Sequence, residues 1–439
     1  MQKLDKFKNN NIKSNLSSGL VVYLVALPLC LGIAVASGAP PLAGIISGII
    51  GGIIVGTISN SHISVSGPAA GLTAILITGI SELGSFELIL LAGVIAGIIQ
   101  VILGFIKAGA ISRLFPSNVI EGMLGGIGII IILKQINYAL GITTEADSLN
   151  VISGTADYIK SFINNINLGS LLITIISVAI LLSKDKIKFL NKIKAIPAAL
   201  IAVAVGIAIN YIFIRTESSF IQNESLLVSI PIAKNISEFG SMFTFPDFNG
   251  FLNSQVWVTG ITIAIVASIE TLLCIDAADK MDHLKRITDT NRELKAQGIG
   301  NVISSLIGGL PMTSVVVRSS ANAKAGATSK LSAVIHGVFL LLSIIILPTI
   351  INMIPMATLA AILILVGYKL ARPSVFIHFW KKGIVSFIPF ITTLLCVAFI
   401  DLLSGVAIGI IIYLILKCFT DKETIINKLR LIFFMLRRA

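Results

Sequence analysis

Two short segments combine small residues, proline and hydroxyl groups in a pattern that can bind an anion. The first reads HISVSGPAAGLT over residues 62–73, and the second reads GGLPMTSVVVRSS over residues 308–320. Each begins with a polar, extended stretch and then turns into a helical pattern, and Pro68 suits the first turn of a helix. Unpaired N–H groups and partial positive charge at a helix N-terminus attract anions. We therefore predict two half-helices whose N-termini point at one central anion site.

The residues predicted to line this site are mostly small, so that an anion can approach the backbone N–H groups. They are Ser66, Gly67, Ala69, Ala70, Thr313, Ser314 and Val315. For either segment alone, an ordinary Gly/Pro kink is an alternative interpretation. The occurrence of two such segments at matching places in the chain favours a binding site.

Two ionisable residues, Glu270 and Arg318, lie deep in apolar stretches. Arg318 comes about one turn into the second half-helix and would add a fixed positive charge near the anion. Glu270 could hold a coupling proton or cation, or it could form a structural ion pair with Arg318. Because burial of a charge is costly in a membrane, each is a functional candidate that needs a partner. His336 is interpreted as a packed, neutral histidine.

The composition places these segments in a lipid bilayer. Of the 439 residues, 55% are hydrophobic and only 12% are charged, whereas a soluble domain has about 25% charged residues. The net charge of +12 would indicate nucleic-acid binding in a soluble protein, but basic residues of membrane proteins collect in cytoplasmic loops. No nucleic-acid partner is therefore expected. The four cysteines have no metal-type spacing, and no cofactor or metal is predicted.

Fourteen apolar segments are predicted to be embedded in the membrane, although some are too short to cross it alone. They are 16–36, 40–58, 68–80, 84–106, 116–133, 168–183, 195–213, 256–277, 294–308, 314–325, 330–352, 356–370, 383–400 and 402–417. The predicted fold class is an all-α polytopic membrane protein. Its third and tenth segments are the broken ones, each with a short extended stretch before the half-helix.

The distribution of basic residues supports this count. With both termini placed in the cytoplasm, 28 of the 33 Lys and Arg residues fall in cytoplasmic segments. A hydrophilic linker separates seven segments from seven, so the second half enters the membrane from the opposite side, which predicts inverted repeats of the kind found in secondary transporters. The predicted divisions are a cytoplasmic tail (1–15), a first repeat (16–213), an extracytoplasmic linker (214–255), a second repeat (256–417) and a basic cytoplasmic tail (418–439). We expect a multi-pass protein of the inner membrane.

Several motifs resemble the SulP family of inorganic anion transporters. They are ALPLCLGIAVASGAPPLAG at 26–44, SVSGPAAGLT at 64–73, SNVIEG at 117–122, SIETLL at 268–273 and the stretch 308–327. The resemblance covers essentially the whole membrane domain. It implies a seven-plus-seven inverted repeat shared with uracil permeases, divided into core and gate domains, that moves sulfate, bicarbonate, chloride or another small anion in an elevator-like motion.

The resemblance also implies roles for individual residues. Glu270 falls on the acidic position of the eighth helix of the family, and Arg318 falls on the arginine of the tenth. A sodium-coupled bicarbonate branch has Asp with Thr four residues on, where this sequence has Glu270 and Cys274. Because thiols are poor ligands for a hard cation such as sodium, we expect coupling to protons or anion exchange. Family members usually continue into a regulatory STAS domain, which is not expected here, and a homodimer is a possible assembly.

Two alternatives remain from the sequence. A nucleobase–proton symporter could use the same fold, but an arginine on the tenth segment favours an anion. A membrane enzyme could use the D-x-x-D-x-x-D run of Asp276, Asp279 and Asp282 to bind a magnesium diphosphate. Such enzymes have a second acidic motif, which this sequence lacks, and the neighbouring basic residues favour a solvated charge cluster. The sequence therefore predicts a transporter and no enzymatic activity.

Overall fold

The computed structural model describes residues 2–110, 116–142, 166–183, 196–218, 220–233 and 235–420, with the side chains of those between 12 and 417 except residue 236. Within these residues, seven helices are long and apolar enough to cross a membrane, and five shorter apolar helices accompany them. The prediction of a helical, multi-pass membrane protein is confirmed. Residues 184–194, between the sixth and seventh predicted segments, and residues 421–439, most of the predicted C-terminal tail, lie outside the described residues.

The first half of the chain contains eight described helices and one strand. They are α1 (Gln2–Ala36), α2 (Pro41–Ile50), α3 (Gly56–Ile58), β1 (Ser66–Pro68), α4 (Thr73–Leu83), α5 (Phe86–Phe105), α6 (Ser117–Leu140), α7 (Leu168–Ser183) and α8 (Ala198–Arg215). A π-helical stretch, Gly51–Val55, joins α2 to α3, and a 3₁₀ turn, Ala70–Leu72, precedes α4. The first helix begins at Gln2, upstream of the predicted start at residue 16.

The described second half contains ten helices and one strand. They are α9 (Ile236–Ser241), α10 (Ser254–Met281), α11 (Thr290–Leu306), β2 (Met312–Ser314), α12 (Val316–Lys324), α13 (Leu331–Ile346), α14 (Pro348–Ile351), α15 (Met356–Leu370), α16 (Pro373–Lys381), α17 (Ile384–Phe399) and α18 (Leu402–Thr420). Each of the fourteen predicted segments contains a helix, and α7 and α15 have the predicted bounds. The inverted arrangement of the two halves stays a prediction.

Glycines allow α5 to approach α11 closely. A Cβ atom added to Gly97 would lie 2.6 Å from the carbonyl oxygen of Gly298, and one added to Gly298 would lie 2.6 Å from that of Gly97. Small residues are the usual means by which helices pack tightly inside a membrane, where the hydrophobic effect between helices is weak. This contact fixes α11 against α5, beside the two strands.

Candidate functional site

The two broken segments meet as a two-stranded antiparallel sheet. Ser66 pairs with Ser314, Gly67 with Thr313 and Pro68 with Met312. The chain leaves β1 through the 3₁₀ turn into α4 and leaves β2 directly into α12. The starts of the two half-helices are thereby brought together, as the sequence predicted.

Helix α10 places one side chain at the start of each half-helix. The carboxylate of Glu270 accepts a hydrogen bond from the backbone of Gly71. A Cβ atom at Gly71 would lie 2.4 Å from Oε2 of that carboxylate, so the close approach requires glycine. Cys274, one helical turn later, faces the backbone of Val316 at the start of α12. A carboxylate therefore caps the first half-helix, and a thiol caps the second.

The guanidinium group of Arg318 is fully buried against β1. Its Nη2 donates to the carbonyl oxygen of Pro68 at 3.4 Å, and a Cβ atom at Gly67 would lie 1.9 Å from Nη1. Within the described residues, Nε and Nη1 have no hydrogen-bond acceptor. The thiol of Cys30 lies within hydrogen-bonding distance of the guanidinium group, and the fully buried imidazole of His336 is within the range of its charge. A buried cation with free donors is a strong attractor for an anion.

Glu270 and Arg318 do not form the structural ion pair that the sequence left open. Among the described residues, the ion pairs are Lys280 with Asp276 and Arg286 with Asp282. Glu270 contacts the 3₁₀ turn, whereas Arg318 contacts β1, because the two side chains approach the first segment at different residues. The ion-pair alternative is wrong. The Oε2 atom of Glu270 is itself without a hydrogen-bond donor in the described structure.

The predicted lining residues differ in their exposure. Five of them are buried: Ser66, Gly67, Ala69, Thr313 and Ser314. Ala70 and Val315, the residues next to the starts of the half-helices, are partly exposed. The sheet is therefore accessible at the end where the half-helices start. The contact of these residues with an anion stays a prediction.

The hydroxyl groups of the strands are already hydrogen-bonded within the protein. Ser314 Oγ lies 2.5 Å from Ser64 Oγ, and the Ser314 N–H donates to Thr271 Oγ1 at 3.3 Å. Ser66 Oγ accepts from Gln297 Nε2 at 2.5 Å. These serines hold the two segments in place, which is a different role from direct contact with a ligand.

The polar face of α11 is a part of the site that was not predicted from the sequence. Glu293, Gln297 and Asn301 recur at every fourth position, are fully buried and reach both strands. The available signal was this spacing of polar residues in and beside a predicted membrane segment. It puts three side chains on one helix face.

The aspartates of the D-x-x-D-x-x-D run are engaged separately. Asp276 pairs with the exposed Lys280, Asp279 accepts hydrogen bonds from Thr288, and Asp282 pairs with Arg286. The hydrogen bond from Arg286 lowers the pKa of Asp282 from its usual 3.8 to about 2. Asp276 is exposed, as the solvated charge cluster predicted, whereas Asp282 is buried in its ion pair. The described residues contain no cluster of three or more potential metal ligands.

An apolar cavity of about 160 Å³ separates α10 from α6 and α18. Its lining includes Ile269, the residue before Glu270, together with Met123 and Leu402. A second cavity of about 130 Å³, lined by residues such as Pro40, Thr244 and Gly308, lies under the linker between α8 and α10. Neither cavity is lined by the predicted site residues.

Comparisons with known proteins agree on the family. The profile of the sulfate permease family matches residues 12–393. The putative sulfate transporter YvdB of Bacillus subtilis is 30% identical over 411 residues, which cover 93% of this chain and 74% of that protein. The bicarbonate transporter BicA of a Picosynechococcus strain is 24% identical over 94% of this chain and 71% of its own length.

A solved structure shows that the fold is shared. The transmembrane domain of a cyanobacterial BicA superposes with a TM-score of 0.75 at 23% identity, over 90% of this chain and 97% of that domain. The helical architecture, the paired broken segments and the match to the family profile lead to one assignment. The chain belongs to the sulfate permease (SulP) family of anion transporters, and it is a transporter and not an enzyme.

Proposed function

We propose that this protein is a secondary transporter that carries a small inorganic anion of the sulfate or bicarbonate class across the cell membrane, with both termini in the cytoplasm. The observation that carries the proposal is the meeting of two half-helix starts beside the guanidinium group of Arg318, which is buried and whose Nε and Nη1 have no hydrogen-bond acceptor in the described structure. The proposed anion sits at the partly exposed helix starts, next to Ala70 and Val315.

The charges at this site favour binding of an anion together with a proton. Each helix start contributes about half a positive charge, and Arg318 contributes a full one. An ionised Glu270 would cancel about half of the resulting potential, whereas a protonated Glu270 would leave it intact. A divalent anion therefore binds best when Glu270 is protonated, which supports proton coupling.

The residues around Glu270 do not favour binding of a sodium ion. The partner of Glu270 one turn along α10 is the thiol of Cys274, which faces a backbone N–H group. Hard cations prefer oxygen ligands. We therefore propose proton symport or anion exchange, as expected from the sequence.

The packing supports an elevator-like motion of one group of helices against another. The strands are hydrogen-bonded to α10 and α11, and α11 is locked against α5 by glycines. In contrast, the cavity between α10 and the pair α6 and α18 is lined by apolar side chains alone. An apolar contact of this kind can slide without breaking hydrogen bonds, so the site would move together with α10, α11 and α5.

Uptake into proteoliposomes tests the proposal. We expect the purified protein to accumulate labelled sulfate or bicarbonate, with stimulation by an inward proton gradient or by a trapped counter-anion. Empty liposomes and liposomes with an Arg318→Ala variant provide the controls. Uptake of uracil in preference to both anions would favour the nucleobase symporter instead.

A further inference from the structure

Helix α11 presents a column of polar side chains to the two strands. Glu293, Gln297 and Asn301 each have no exposed surface, and their spacing of four residues places them on one side of the helix. Buried polar groups in a membrane protein are costly unless they are bonded. The side chains of this column therefore need hydrogen-bond partners.

The column binds β1 and β2 separately. Gln297 Nε2 donates to Ser66 Oγ in β1 at 2.5 Å. Asn301 holds the backbone of Met312 in β2 with two hydrogen bonds, accepting from the N–H at 2.7 Å and donating to the carbonyl oxygen at 3.1 Å. Two amide side chains one turn apart thus link both strands to a single rigid helix.

Glu293 determines how the Gln297 amide is oriented. The same Nε2 atom of Gln297 donates to Glu293 Oε1 at 3.0 Å, and Glu293 Oε2 accepts from the hydroxyl group of Ser59. Because Ser59 occupies Oε2, the amide of Gln297 meets Oε1, which accepts from the amide nitrogen, and the amide oxygen has no donor in the described structure. This orientation leaves a donor pointing at Ser66.

Basic side chains hold the end of α3, next to Ser59. Lys330 Nζ donates to the carbonyl oxygens of Thr57 and Ser59, and Arg292 Nε donates to that of Ile58. These contacts hold Ser59, the partner of Glu293 Oε2, in place beside α11.

We propose that Gln297, oriented by Glu293, is a positioning residue for the anion site. It holds Ser66, and with it the start of the first half-helix, at a fixed place relative to the second strand, which Asn301 holds. The inference rests on the transport function proposed above and assigns the affinity of that site to a helix that does not contact the anion.

A double-mutant cycle in proteoliposomes tests this role. Gln297→Met keeps the length of the side chain and removes the donor, and Ser66→Ala removes the acceptor. Each is expected to raise the KM for the transported anion about tenfold, the effect of losing one buried hydrogen bond, with a smaller change in maximal rate. The double variant is expected to show no further increase, because both changes break the same contact. Additive effects, or an unchanged KM in both single variants, would overturn the proposal.

Ser305→Ala is the matched control. Ser305 lies on the same helix and is fully buried, but its Oγ has no hydrogen-bond partner in the described structure. Its loss is expected to leave KM unchanged. If Gln297→Met does not yield folded protein, Ser66→Ala decides through the hydrogen–deuterium exchange of residues 62–73 measured without anion, which a contact between the hydroxyl and the anion would not change.

Hydrogen–deuterium exchange gives a result that does not depend on transport. In Gln297→Met the peptide covering residues 62–73 is expected to exchange several-fold faster than in the wild-type protein and in Ser305→Ala. Equal exchange in all three proteins would refute the positioning role even if no tested anion is transported. Absence of wild-type transport together with faster exchange in Gln297→Met would instead refute the proposed function and keep the positioning role.

Discussion

The two broken segments have the same backbone plan and different charges. Each consists of a three-residue strand followed by a short helix, and the strands pair residue for residue. The first start is capped by the carboxylate of Glu270, and the second is capped by the thiol of Cys274 and followed by Arg318. The backbone at each helix start therefore forms a similar site for an anion, which we call a cradle. Arg318 makes the second cradle permanently positive, whereas the charge of the first changes when Glu270 binds a proton.

The largest expected effect comes from removing the permanent charge. Arg318→Ala should weaken anion binding by about two orders of magnitude, the scale of a lost charged hydrogen bond in a buried site. Binding of labelled anion to the purified variant measures the change. Lys324→Ala is the control, because Lys324 lies at the exposed end of the same helix. Equal affinity in Arg318→Ala and wild-type protein would remove Arg318 from the site.

Blocking either cradle tests whether both are needed. Ala70→Leu would cover the start of the first half-helix and Val315→Phe that of the second, since both residues are partly exposed there. We expect each to reduce uptake at least about tenfold by excluding the anion from the backbone N–H groups, with normal amounts of folded protein. Ile77→Leu, on the body of α4, should have little effect. A loss from only one of the two blocking variants would mean that a single helix start binds the anion.

The adjustable cradle should respond to pH and not to sodium. Glu270→Gln keeps the shape of the side chain and removes its titration, so uptake should lose its response to a proton gradient while anion exchange continues. Cys274→Ser should change the rate about twofold or less, because a hydroxyl can replace the thiol at the Val316 backbone. The measurement is uptake with imposed proton or sodium gradients. A steep sodium dependence that disappears in Glu270→Gln would contradict the assignment.

The smallest effect concerns the far end of the second half-helix. Arg286 joins Asp282 to the carbonyl oxygen of Thr328, whereas the first half-helix ends at Gly84, with φ of 75° and no basic residue in its last turn. The lowered pKa of Asp282, about 2 against 3.8, corresponds to about 2 kcal/mol.

Asp282→Asn should therefore lower the free energy of unfolding by about 2 kcal/mol in detergent near neutral pH. Because the folded pKa is depressed, this stabilisation is complete above about pH 4 and is lost as the pH falls through 2. Thermal denaturation across this range measures it, with Asp276→Asn as the control, since that ion pair is mostly exposed. Equal melting temperatures for the two variants would mean that the ion pair of Asp282 with Arg286 does not stabilise the fold. Transport should be unaffected in both variants.

The sequence was informative where local rules decide the structure. Gly and Pro in the two segments marked the breaks, and their matching places in the chain predicted that they would meet. The charges of Glu270 and Arg318 allow an ion pair, but a sequence does not give the distance between two side chains. In the structure each one reaches a different part of the first segment. The role of α11 was missed for a similar reason. The role of Gln297 in holding the first strand becomes visible only when Ser66, 231 positions away in the sequence, is known to lie beside it.

Gly67 and Arg318 also constrain the order in which this protein can change over generations. Any side chain at position 67 would collide with the guanidinium, 1.9 Å from the nearest Cβ position. Replacement of Gly67 is therefore harmful while Arg318 is present and becomes sterically permitted once Arg318 has been replaced by a smaller residue. In the reverse direction, arginine can return to position 318 after position 67 has been filled only if its guanidinium group takes another place. The two positions form an epistatic pair, in which the history of one residue determines the choices available to the other.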